Sequence, residues 1–259
     1  MKAKLPENKM LKAVLPDDTS VKVIGLGGIG GIVARYGSIF LASLRRPMRM
    51  VLVDGDSFEA KNASRAMFGN YGNKAAVTMQ DLLNNAATSL LSILAIPEYV
   101  TAENIHRLIQ NGDIVMQAVD NHATRKLVNN HCRSLSDVTL ISGGNDGAGA
   151  DPAGRVLRGT YGNCQVYIRR RDEDCSPPLT QYHPEIADPK DNVPGESCTD
   201  LITSGRQTQL LFANLAAASA MLNALWLYAC GALHYSEVAF DIAEARMQPL
   251  PLPEPTLIQ

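Results

Sequence analysis

Five glycines crowd into seven positions, Gly25, Gly27, Gly28, Gly30 and Gly31. They follow the apolar stretch Val21–Leu26 and precede the apolar, small-residue stretch Ile32–Leu44. This feature constrains the fold most. An apolar strand that ends in a turn without side chains and continues as a helix exposes backbone N–H groups at a helix start, where phosphate can approach. Gly25, Gly27 and Gly30 spell GxGxxG. No GK[ST] follows, so the loop is not a Walker A loop.

The pattern then repeats as strand and helix. Met48–Val53 is apolar and β-branched and ends at Asp54, Asn73–Asn85 has helical character, and Leu90–Val100 contains a strand closed by Pro97. Asn104–Gln110 predicts a short helix, Asp113–Val119 a strand ending at Asp120, His122–Arg133 a helix, and Val138–Ser142 a strand ending in Gly143-Gly144. Such alternation argues an α/β chain, a Rossmann-like, mostly parallel sheet with helices on both faces. Ligands of such sheets bind beyond the carboxyl ends of the strands, where the glycines, Asp54 and Asp120 gather.

The carboxyl-terminal half reads differently. VLRGTY and CQVYIRR, with Gly162-Asn163 between them, predict a hairpin. Arg170–Ser204 is rich in proline and acids and reads as a long exposed crossover, a type of segment that often serves function. A long helix should begin near Gly205, followed by a last strand over Glu237–Met247 and an extended, exposed PLPLPEP tail. Leu210–Leu233 lacks charged residues except for His234 just beyond it and is long enough to cross a bilayer. Asn214, Asn223 and the abundance of alanine favour a buried or interface helix instead, so no membrane is expected.

Composition narrows the class. With 24 Lys+Arg against 26 Asp+Glu, the chain lacks the basic excess of a general nucleic-acid binder. Its five cysteines are Cys132, Cys164, Cys175, Cys198 and Cys230, and no two form a CxxC. That disfavours a disulfide framework or a four-cysteine zinc site and fits a reducing cytoplasm, and Met1–Ser20 has no apolar core of the kind a secretory signal needs. His122 and His131 are expected on one helix face without a third ligand, and His183 as a surface loop histidine.

Asp54 is placed to hydrogen-bond ribose, with Asp56 two positions on. Asn62, Arg65 and Lys74 follow, supplying amide and cationic groups suited to phosphates. Asp120, with Asn121 beside it, is placed either to hold Mg²⁺ on nucleotide phosphates or to cap the next helix, which carries Arg125 and Asn129.

Together these residues resemble the ThiF/MoeB/E1-like family, which activates ubiquitin-like proteins. VDGDSFEAKNASR is similar to the family form VDxDxVxxxNxxRQ, and the likeness covers about Val21–Gly144. The resemblance implies ATP and Mg²⁺, with Gly25, Gly27, Gly28 and Gly30 in the phosphate loop, Asp54 on the ribose and Asp56 among the cofactor-binding residues. It places Asn62, Arg65 and Lys74 on phosphates, and Asp120, beside Asn121, as the magnesium ligand. Departures are Ala66 where the family has glutamine, a shorter Arg65–Lys74 stretch, absent CxxC pairs, and no match before Val21 for the partner-subunit arginine. The implied chemistry is adenylation of a carboxyl-terminal glycine, then thioester formation on Cys198 in PGESCTD and transfer to an E2-like protein.

The carboxyl half, SCTDLITSGRQTQLLFANLAAASAMLNALW, is similar to ThiF-like proteins of bacterial PRTRC systems, which also encode ubiquitin-like and E2-like proteins. The resemblance also implies a homodimer, with the uncharged helix at its interface. The expected organisation is an extension over 1–20, an ATP-binding adenylation region over 21–150, and 151–259 as the rest of the same domain. Three other readings remain: a nicotinamide oxidoreductase, which leaves Arg65, Lys74 and Asp120 unexplained; a non-catalytic scaffold subunit; and an enzyme that activates a small-molecule or peptide carboxylate.

Overall fold

The computed structural model describes residues 10–64, 66–85, 90–150, 154, 156–194 and 209–252. The chain runs β1 (Ser20–Ile24), α1 (Gly28–Ser43), β2 (Met48–Val53), β3 (Ser57–Phe58), β4 (Gly72–Asn73), α2 (Lys74–Asn85), β5 (Leu91–Ile96), α3 (Ile105–Leu108), β6 (Ile114–Gln117) and α4 (His122–Arg133). It continues with β7 (Val138–Asn145), β8 (Ala148–Ala150), β9 (Val156–Arg158), β10 (Tyr161–Arg170), β11 (Glu173–Asp174), α5 (Pro184–Ala187), α6 (Leu211–Ala229), β12 (Tyr235–Asp241) and β13 (Arg246–Pro251).

A nine-stranded sheet has the order β13-β12-β10-β7-β6-β1-β2-β5, with β11 added to β10. β5, β2, β1, β6 and β7 are mutually parallel, and β10, β12 and β13 extend the sheet antiparallel to β7. The expected Rossmann-like class is therefore the observed one. Between β1 and β6 the chain's direction of progress across the sheet reverses, which opens a crevice at the strands' carboxyl ends.

Two apolar clusters cover the two faces. Val23, Met50, Met116 and Val166 pack with α1, α2 and α6, while Val51, Val115, Leu140 and Tyr167 pack with α3, α4 and α5. Strands buried on both faces read as continuous apolar runs, as β1, β2 and β6 do. The helix Leu211–Ala229 has the length and hydropathy of a membrane span. Its Ala213, Ala217, Met221, Ala224 and Leu225 are instead buried against α1, β7 and β10. Gly143 makes room for this packing, since a Cβ there would lie 2.4 Å from Met221 Sδ.

Several expectations are corrected. Gly162-Asn163 is not a turn but lies within β10, where Gly162 faces Phe240 so closely that a Cβ would sit 2.4 Å from the ring. The chain bends before it, at Gly159 (φ +71°), and Val156–Arg158 pairs with β8, not β10. The single last strand is a hairpin of β12 and β13, with Ala245 at φ +48° in its turn. Pro249 and Pro251 of the tail therefore sit in a sheet-edge strand, where missing N–H groups are tolerated. The crossover is not exposed throughout: Leu179 and Ile186 are buried, and Ser176 Oγ donates to Val166 O and accepts from Ile168 N–H. α1 starts at Gly28, earlier than Ile32, because the glycines form its first turn. The long helix begins at Leu211, while Gly205, its expected start, lies outside the described residues.

Candidate functional site

The crevice is a cleft of about 1290 Å³ along the strand ends. One end is the glycine loop. Gly25 N–H donates to Val53 O (3.0 Å) and Ala118 N–H to Ile24 O (2.8 Å), so the loop is seated between β2 and β6. Gly25 has φ +83°, and a Cβ there would lie 2.9 Å from Ala118 O. A Cβ at Gly30 would lie 1.7 Å from Gly25 O, so only glycine lets α1 pack onto the turn. Around Gly27 there is no heavy atom within 4 Å of a Cβ, and the residue lines the cleft. The glycines thus divide the work: two permit packing and one leaves open the approach to the amino terminus of α1.

Asp54, nearly buried at the end of β2, accepts from Leu26 N–H (2.6 Å) and Asp56 N–H (2.8 Å). It therefore ties the glycine loop to β2 as well as facing the cleft. Burial raises its carboxyl above the usual range, against the opposing influence of Lys74 and the two N–H donors. Lys74 opens α2 and is buried, and its Nζ donates to Asp56 Oδ2 at 2.7 Å. Burial works to raise Asp56, but the hydrogen bonds from Lys74 and Tyr99 outweigh it and hold the carboxyl below its usual range. The lysine is thus poised in the cleft on an aspartate.

Asn62 also lines the cleft, 5% exposed. Its Oδ1 accepts from Glu59 N–H at 2.8 Å, closing a short 3₁₀ turn, Ala60–Asn62. Asp120 lies exposed beyond β6, in the cleft wall across the switch point from the glycine loop. It is not the cap of α4. Asn121 is, accepting from Thr124 N–H at 2.7 Å. Arg65 and Cys198 lie outside the described residues.

Three features escaped the sequence reading. Tyr99, whose hydroxyl donates to Asp56, closes the cleft beside Lys74. Arg125, 7% exposed, donates from Nε (3.2 Å) and Nη2 (2.9 Å) to Val119 O and from Nη2 to Gly143 O (2.9 Å), bracing the ends of β6 and β7 under the cleft floor. Its spacing from Asn129 was visible, but not that both are buried. The third is His183, no surface histidine: it lines the cleft's far end with Glu185 and bonds to Glu185 and Glu237. Its only sequence signal was a histidine inside a crossover. His122 and His131 do not share a face, because nine residues is two and a half helical turns. His122 lines the cleft, whereas His131 Nε2 meets Ile109 O at 2.9 Å.

A profile of the ThiF family matches residues 15–248. The chain belongs to the ThiF family. Among curated relatives, the adenylyltransferase and sulfurtransferase MOCS3 of Dictyostelium discoideum is 35% identical over 130 residues, covering 49% of this chain and 29% of that protein. The sulfur carrier protein adenylyltransferase of Thermus thermophilus is 33% identical over 113 residues, covering 42% of this chain and 40% of that one. The chain thus matches less than half the length of these relatives. Among solved structures, E. coli MccB with ATP superposes with a TM-score of 0.62 at 16% identity, covering 92% of this chain and 65% of that one. This likeness establishes the shared fold.

Proposed function

We propose that this ThiF-family chain is an ATP-dependent, E1-like adenylyltransferase that activates the carboxyl-terminal glycine of a ubiquitin-like protein. The observation that carries the reading is the cleft itself. It joins an open helix start at Gly27 and Gly28 to Lys74 at one side and to Asp120 across the switch point. A dinucleotide oxidoreductase has no use for that lysine and aspartate, whereas a triphosphate does. Two relatives named adenylyltransferases, and another from Haloferax volcanii named a SAMP-activating enzyme E1, support the same class.

In this reading the N–H groups at the start of α1 bind phosphate. Asp54 holds the ribose, with Asp56 poising Lys74 beside it, and Lys74, Asn62 and Arg65 orient the polyphosphate. Asp120 offers one exposed carboxylate, and among the described residues no group of three or more His, Cys, Asp or Glu side chains is placed to hold a metal ion. That donor set suits Mg²⁺, which keeps phosphate and water ligands. Asp120 would hold it, and the ion would neutralise charge on the phosphates. The substrate carboxylate attacks the α-phosphorus, the bond to the β-phosphate oxygen breaks, and pyrophosphate leaves with an acyl-adenylate formed.

Cys198 is the nucleophile that then receives the acyl group, releasing AMP, and passes it to an E2-like partner. Pro194 and Gln209, which bracket the segment holding Cys198, both line the cleft. Four residues from Pro194 give Cys198 a reach of about 14 Å. Cys132 and Cys164 are buried, and burial pushes the Cys132 thiol up to about 12 and raises Cys164 as well, so neither is a thiolate at neutral pH. The acting unit is a homodimer. Its support is apolar surface on the neighbouring helices α1 and α6: Tyr36, Ile39, Phe212, Leu215 and Trp226 are exposed.

The test is ATP–pyrophosphate exchange with ubiquitin-like proteins that end in glycine. Exchange that requires the intact terminal glycine is expected. Exchange driven equally by a free amino acid or a short unrelated peptide would shift the reading to a small carboxylate substrate, the class suggested by the superposition on MccB with its MccA peptide.

A further inference from the structure

At the end of the cleft remote from the glycine loop, His183 precedes α5 and stands between two carboxylates. Its Nδ1 lies 2.8 Å from Glu185 Oε1, and its Nε2 lies 3.1 Å from both Glu237 oxygens. The bonds to His183 help hold both carboxyls below their usual range, and an ionised carboxylate only accepts hydrogen bonds, so with both ionised the two ring nitrogens donate and the ring is imidazolium. A neutral ring would turn a lone pair toward one carboxylate.

The bridge joins two elements far apart in sequence. His183 and Glu185 belong to the crossover, and Glu237 belongs to β12. The side chains of His183 and Glu237 are only 16% and 13% exposed. Asn163 Nδ2 of β10 donates to Glu237 Oε1 at 2.8 Å, fixing that carboxylate. The other groups facing the bridge are Asp146 after β7, Tyr161 and the buried Cys164 of β10, with His122 and the buried guanidinium of Arg125 on α4. Among these, Arg125 is committed to Val119 O and Gly143 O, and His122 is the other titratable base.

We infer that His183 is a positioning residue whose imidazolium pins the crossover onto β12 at the mouth of the cleft, so that engagement of the acyl substrate depends on pH. The inference rests on the cleft being the adenylation site. The pin matters because the crossover runs on from α5 to Pro194, at the cleft wall, and from there to Cys198. Loss of the ring proton removes a positive charge from between two negative ones and leaves one of the two carboxylates facing a lone pair. Burial by itself would lower the ring's proton affinity, but the bonds to Glu237 and Glu185 outweigh it and raise it. The pin is therefore complete below the free-histidine value of about 6.5 and is lost as pH rises through the raised value.

The experiment uses the full chain. ¹⁵N-edited NMR of the histidine rings, assigned with His183→Gln, should show both His183 nitrogens protonated at pH 5.5 and a titration midpoint above that of a free histidine, about 6.5. Amide protection at Ile186 and Ala187, whose N–H groups donate to His183 O, should fall across that midpoint after correction for intrinsic exchange. In H183Q it should be low and independent of pH. In pyrophosphate exchange with a glycine-terminated ubiquitin-like protein, H183Q should raise KM for that protein about tenfold, leave KM for ATP unchanged, and flatten the alkaline limb of the profile. A midpoint at or below about 6.5, or wild-type protection and pH dependence in H183Q, would overturn the inference. The NMR and protection measurements need no substrate, so failure of the pin and failure of the adenylation reading give different results.

Discussion

The glycine loop permits a separation of packing from ligand binding that few motifs allow. A Cβ at Gly30 would lie 1.7 Å from the Gly25 carbonyl oxygen, well inside the 3.0 Å that real Cβ contacts respect. Gly30→Ala must therefore push α1 off the β1 turn. Overpacking of this kind costs about 1–3 kcal/mol, and a rigid backbone neighbour places it at the upper end. For a chain of this size that is a fall in Tm of roughly 6–12 °C. At Gly27 the outcome reverses. Its φ is negative, −73°, and there is nothing within 4 Å of a Cβ. Gly27→Ala should fold with Tm lowered by roughly 2–4 °C, the cost of about 1 kcal/mol for replacing glycine by alanine at the helix cap. Its methyl group, however, occupies the path by which phosphate reaches the N–H groups of α1. Losing one charge-assisted hydrogen bond of about 1.5–3 kcal/mol weakens ATP binding roughly 10–150-fold. Differential scanning fluorimetry and calorimetric titration with ATP read the two effects on the same samples. Wild-type affinity in a stable G27A would refute the claim that phosphate sits on this loop.

Further outcomes follow from the same geometry. Lys74→Ala should weaken ATP binding about 10–100-fold by loss of a charged phosphate contact, with a small Tm change because its partner Asp56 is half exposed; calorimetry and melting curves check this. Asp120→Asn should leave Tm unchanged, since the residue is exposed, and lower pyrophosphate exchange about 100-fold or more. Cys198→Ala should spare exchange and abolish any thiol-sensitive adduct with the substrate, and a surviving adduct on a non-reducing gel would move the nucleophile elsewhere. Glu237→Gln should cost about 2 kcal/mol near pH 6, where His183 is charged, and progressively less as pH rises through the histidine's raised value; urea melts across that range measure it.

The parallel half of the fold was legible because strands buried on both faces read as unbroken apolar runs. β2 and α4 were bounded in the sequence at the residues observed. The carboxyl half was not, because its strands owe their pairing to distant partners. Gly162 looks like a turn residue, and only the Phe240 ring packed against it shows why a strand needs glycine there. The hairpin at Asp241–Arg246 went unseen because Ala245, an ordinary residue, takes the positive φ. In the cleft, Asp54, Lys74 and Asp120 were readable because each follows or opens an element of the repeating pattern, and Asn62 by its spacing from Asp54. Tyr99, Arg125 and the His183–Glu237 pair were not, because their partners lie on elements brought together only by the folded sheet.

A crystal structure of the chain with a non-hydrolysable ATP analogue decides whether the cleft is a nucleotide site. Phosphates are expected on the N–H groups at Gly27 and Gly28, ribose at Asp54, and Lys74 and Asp120 flanking the polyphosphate. A nucleotide bound outside the cleft, or one whose phosphates point away from the glycine loop, would contradict that assignment.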